Sequence, residues 1–127
     1  MAAVRKLSLW LPVAVWCALI FALSSIQNLT SGLEYDFPLR KLGHMLEYGV
    51  LFALSRRALA GSGSRPASAA WGAAAFCLLY AASDEWHQSF VPGRCGCAGD
   101  VAIDSTGVLA WWALSCRAGR REWQERP

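Results

Sequence analysis

The sequence predicts an all-α integral membrane protein, a four-helix bundle with both termini in the cytoplasm. Three observations predict it. The 127 residues are 55% hydrophobic and 17% charged, where an ordinary soluble domain carries about 25% charged residues. The apolar residues fall in four blocks, each near the length of about 20 residues that a helix needs to cross a hydrocarbon core. Nine of the twelve basic residues lie at one end of the implied bundle. The length suits a single domain, residues 1–127,.

The first block runs from Leu7 to Ile26, preceded by Arg5 and Lys6. A basic stretch before an apolar run also describes a signal peptide, but this run is long for one and lacks a clear small-x-small cleavage site. It is therefore expected to stay as a membrane span. Pro12 lies inside it, where a helix can kink. Ser24, Ser25, Gln27 and Asn28 mark its polar exit. The second span covers Leu39 to Leu59, beginning with Arg40, Lys41, His44 and Glu47 and ending in Arg56 and Arg57. Lys41, His44 and Tyr48 fall at i, i+3 and i+7, on one helical face.

The stretch AGSGSRP, Ala60 to Pro66, reads as a turn,. The third span covers Ala67 to Phe90. Its first half is rich in alanine and glycine, which permits close helix packing. Its second half ends in Asp84, Glu85, His87 and Gln88. Tyr80, Asp84, His87, Gln88 and Val91 are expected to share a face, with Glu85 rotated off it by about 100°. Pro92-Gly93 breaks the helix, and Arg94 follows. Asp100 is expected to cap the fourth span, which runs to Ala118, with Asp104, Gly107 and Trp111 along one stripe. Cys17, Cys77 and Cys116 read as small hydrophobes within apolar blocks. Cys95 and Cys97 flank Gly96 in a loop too short for an unstrained bridge.

Four spans put both termini on one side, and the excess of Lys and Arg there makes that side the cytoplasm. The acidic residues run the other way, with only Glu122 and Glu125 on the cytoplasmic side. Lys41, His44, Glu47, Asp84, Glu85, His87, Gln88, Arg94, Asp100 and Asp104 then converge near the outer surface of a plasma membrane that the chain crosses several times. Each ionised group placed there costs roughly 2.5–3.5 kcal/mol on insertion scales, so such groups should face the bundle interior.

This convergence admits several chemistries. Glu85, His87, His44 and Asp84 are candidate general acids and bases. Lys41 and Arg94 suit a phosphate or pyrophosphate, with Gln88, Tyr48, Asp100 and Asp104 completing a substrate pocket. Two histidines beside carboxylates suit zinc, but their spacing matches no dedicated motif such as HExxH, so no metal or other cofactor is expected. Tyr48 and Tyr80 also suit interfacial aromatics, and the charges also suit ion pairs that fix helix register. A proton channel is disfavoured because the inner halves of all four spans are apolar. There is no basic patch with interleaved aromatics for nucleic acid and no Gly-rich phosphate loop. The sequence specifies no protein partner.

Four stretches carry a family resemblance: SSIQ ending the first span, KLGHMLEYGVL in the second, SDEWHQSFVPGR ending the third and DVAIDSTG opening the fourth. The chain resembles the VanZ-like membrane proteins. The resemblance implies a small four-helix protein of the cell envelope, linked through the family's prototype to glycopeptide (teicoplanin) resistance. It carries over Lys41, His44, Tyr48, Asp84, Glu85, His87, Gln88, Pro92, Gly93, Arg94, Asp100 and Gly107 as motif positions. Asp104 departs from the family's usual Asn, placing a carboxyl group where an amide is common, and the CGCAG stretch after Arg94 is unlike a usual member. The expected function is to bind or act on an anionic, lipid-linked envelope substrate, as a hydrolase or transferase with acid/base chemistry. The alternative is a non-catalytic binding or accessory module whose polar cluster is structural.

Overall fold

The computed structural model describes residues 2–26, 36–92 and 98–124. They form four α-helices and, among the described residues, no strand: α1 (Ala2–Ser24), α2 (Asp36–Gly61), α3 (Pro66–Gln88) and α4 (Ala98–Gln124). The helix boundaries follow local chemistry. Pro12 lies inside α1 without ending it. The Ser24 and Ser25 hydroxyls donate to the Phe21 carbonyl at 3.0 and 2.7 Å, beside the Ser25 backbone N–H that donates to the same carbonyl at 3.1 Å,. The turn after α2 passes through Gly63 at φ 105°, a conformation open chiefly to glycine. Pro66 opens α3, where its missing N–H costs nothing,. The fourth helix corrects one expectation. It starts at Ala98, so Asp100 is its third residue and not its cap. An acid in the first turn is favoured there by the helix dipole.

Helix α2 packs against all three others, α3 also packs against α4, and among the described residues α1 and α4 do not meet. The core is built from Val13 and Ile20 of α1, Tyr48, Leu51, Phe52 and Ala58 of α2, Ala73, Cys77 and Ala81 of α3, and Val108 of α4. The alanines of α3 keep its buried face narrow, so neighbouring backbones approach closely. Two cross-helix hydrogen bonds tie α1 down. Trp16 Nε1 donates to the Glu47 carbonyl at 2.9 Å, and Tyr80 Oη donates to the Cys17 carbonyl at 2.7 Å. Trp16→Phe keeps most of the ring volume but removes that cross-helix hydrogen bond. It should lower unfolding free energy by about 1 kcal/mol, readable by denaturation in detergent.

Large apolar side chains lie on the surface of this fold, and several polar ones are buried beside its apolar core. Leu7, Leu11, Val15 and Leu19 of α1, Trp71, Leu79 and Trp86 of α3, and Leu109 and Leu114 of α4 are exposed. Ser24, Ser55, Asp84, Glu85, Gln88 and Asp104 are buried. Among the described residues one helix, over Val4–Ser24, is long and apolar enough to cross a membrane, with a mean hydropathy of 2.1. The other helices carry charges at their ends, at Lys41, Arg56 and Arg57 of α2, Asp84 and Glu85 of α3, and Asp104 of α4.

Candidate functional site

Polar residues of α2, α3 and α4 gather where α3 ends and where α2 and α4 begin, while Ser55, also buried, lies nearer the other end of α2. From α2 come His44 and, one turn later, Tyr48. From α4 comes Asp104, whose side chain is 1% exposed and whose Oδ1 lies 3.3 Å from His44 Nδ1. At that separation the imidazole and the carboxylate touch without a well-formed hydrogen bond, and the contact is an ion pair when His44 is protonated. The depth of Asp104 is set one turn on, at Gly107. A Cβ there would collide with the backbone carbonyl of Met45, so only glycine lets α4 lie this close to the turn that carries His44.

Tyr48 is wholly buried. This corrects its reading as an interfacial aromatic: its ring is part of the core. Its hydroxyl has no hydrogen-bond partner and stands in the field of both Asp84 and Asp104. On α3, Gln88 Nε2 donates to Asp84 Oδ2 at 2.9 Å, while Asp84 Oδ1 has no partner. Buried polar atoms in a fold normally find a partner, water or a ligand. Four side chains on three helices, His44, Tyr48, Asp84 and Asp104, thus each carry buried polar atoms without a hydrogen-bond partner.

The face of α3 differs from the expected one. Asp84, Glu85 and Gln88 are all buried, so the inward face is centred between Asp84 and Glu85, and Glu85 is not rotated out of it. His87 turns aside towards α1. Its Nε2 is 3.0 Å from Ser25 Oγ, and its ring lies over Phe21 with centroids 4.4 Å apart. His87 and Glu85 therefore sit on different sides of the helix. Lys41 is half-buried at the start of this region. Arg94 lies outside the described residues, as do Cys95 and Cys97, and Asp100 is described only as helix backbone. Among the described residues, no group of three or more His, Cys, Asp or Glu is placed to share a metal ion.

Two participants were not singled out for the site from sequence. Ser25 had a signal, the polar SSIQ exit of the first run. Phe21 had none, because one more aromatic in an apolar helix looks like any other.

What this centre can do chemically follows from its contents. It offers carboxylates, an imidazole and a phenol in a region shielded from solvent, where proton transfer and charge recognition are strong. The VanZ/LLP1 family model matches residues 3–118 of the chain. No curated protein and no solved structure matches it.

Proposed function

Since the chain belongs to the VanZ/LLP1 family, which at family level is linked to glycopeptide resistance, we propose that it is a multi-pass plasma-membrane protein acting on an anionic, lipid-linked envelope substrate. The observation that carries this reading is the pairing of buried acids with exposed large apolar side chains. Asp84, Glu85 and Asp104 are 4%, 6% and 1% exposed, while Leu79 and Trp86 are 73% and 71% exposed. A fold with acids inside and large apolar side chains outside suits lipid as its solvent. The concentration of basic residues at the other end supports a topology with that end and both termini in the cytoplasm and the polar centre towards the outer surface,.

In this reading Glu85 and His44 carry the proton chemistry, Asp104 orients His44, and Lys41 and Arg94 hold the anionic group. His87 docks α1 against α3 and does not act on the substrate. A second reading has its own support. The Gln88–Asp84 bond and the His44–Asp104 contact are polar groups meeting one another, as in an accessory module with a structural cluster.

Glu85→Gln separates the two, since it keeps the shape and removes the ionisable proton. Lipid and cell-wall precursors would be profiled by mass spectrometry in cells carrying wild type, Glu85→Gln or no protein, at matched membrane levels. A species that changes with wild type should change about a hundredfold less with Glu85→Gln, the least that loss of general acid–base catalysis costs. Equal profiles for wild type and Glu85→Gln, with any glycopeptide phenotype retained, would establish the accessory module instead.

A further inference from the structure

A cavity of about 280 Å³ opens between α1 and α3, lined by Phe21, Tyr80, Ser83, Asp84, Trp86 and His87. The packing leaves this space open. Helix α1 leans on α2, touches α3 only lightly and does not meet α4 among the described residues. The cavity is mainly aromatic, with one acid in its wall. Asp84 is 4% exposed; its Oδ2 is occupied by Gln88, and its Oδ1 has no partner. The opposite wall is fixed, because His87 is held between Ser25 and Phe21. Trp86 stands at the margin, 71% exposed, with Phe90 edge-on to it at 5.7 Å. The Asp84 side therefore faces two spaces, the polar centre and this cavity.

We propose that the cavity binds the headgroup of an aminophospholipid, with the primary ammonium paired with the Asp84 carboxylate in its wall. Three features select that chemistry. The Asp84 carboxylate, buried and with one oxygen unpartnered, calls for a cation that carries N–H donors, because leaving it unmet is costly,. Aromatic faces at Phe21, Tyr80 and Trp86 attract an ammonium further and suit the level of a membrane interface. The volume is just below the roughly 300–1,000 Å³ of pockets that enclose a drug-sized ligand, so it takes a headgroup while the acyl chains stay in the bilayer. A quaternary ammonium brings charge without a donor, and a glycerol headgroup brings donors without positive charge. The inference rests on the membrane placement proposed above. It is independent of the anionic substrate and of the proton chemistry assigned to Glu85 and His44.

The test uses the full chain reconstituted in vesicles of equal phosphatidylethanolamine, phosphatidylcholine and phosphatidylglycerol, then purified in detergent. The co-purifying lipid is measured by mass spectrometry. Wild type should retain phosphatidylethanolamine about tenfold over either other lipid, the discrimination that one charge-assisted hydrogen bond supplies. Asp84→Asn, nearly the same shape, should lose the preference. Ser83→Trp should lose it too, by filling the cavity while leaving Asp84 in place. Leu109→Ala, on the exposed side of α4, should keep it. Equal retention of all three lipids by wild type overturns the proposal, as does a preference that survives both Asp84→Asn and Ser83→Trp. Release of the protein from vesicles by alkaline carbonate would overturn the membrane placement itself and the headgroup site with it. Firm insertion without headgroup preference overturns the headgroup site alone.

Discussion

Gly107→Ala should destabilise the bundle by about 3 kcal/mol, the upper end of what overpacking a tight interior costs. The added methyl would meet the backbone carbonyl of Met45. Backbone within a helix cannot swing aside, so α4 must move away from α2 as a body. That motion would also part Asp104 from His44, now 3.3 Å apart. Gly49→Ala is the matched control. A Cβ at Gly49 would meet the indole of Trp111, which is 38% exposed and can rotate outward. Its cost should be nearer 1 kcal/mol, the lower end of the same range. Unfolding of both variants in one detergent measures the difference. Equal losses would mean that the α2–α4 approach is not limited by backbone contact at Gly107.

The same pair of glycines shows where the sequence is informative and where it is not. Four apolar runs separated by Gly, Pro and polar stretches are enough to give four helices in order, because each helix is decided by residues close along the chain. The polar residues at one end of α2, α3 and α4 are legible for the same reason. Which of them touch is decided across helices. Period counting places Asp84, His87 and Gln88 near one another on α3, but it does not say which side faces the core. That side is set by the neighbours: Asp84, Glu85 and Gln88 are buried in the bundle, and α1 takes up His87. The contact of His44 with Asp104 depends on the axial register of α2 against α4, and that register is fixed by the close approach at Gly107. Tyr48 could be placed on the face of His44 by spacing alone. Its complete burial required knowing that three helices close over it.

Tyr48→Phe should raise stability by about 1 kcal/mol while lowering function, and the opposing signs are what make it informative. The Tyr48 hydroxyl is buried with no partner. A buried polar group left unmet costs about 1–3 kcal/mol, and more where lipid replaces water outside. Phenylalanine keeps the ring among Leu51, Phe52 and Val108 and deletes the unmet group, leaving a space about the size of one oxygen. A sequence selected only for a stable bundle would hold phenylalanine at this position. Retaining a tyrosine between Asp84 and Asp104 at a stability cost is the trade expected of a residue kept for binding or chemistry. Detergent unfolding and the precursor profile, measured on the same preparations, test both halves together. A loss of stability on Tyr48→Phe would show that an enclosed water or a side chain already satisfies the hydroxyl, and the cluster would then be structural. A gain in stability with an unaltered profile would remove Tyr48 from the site while leaving Glu85 and His44 in it. A gain in stability together with a diminished profile would identify the Tyr48 hydroxyl as a place where the substrate is held.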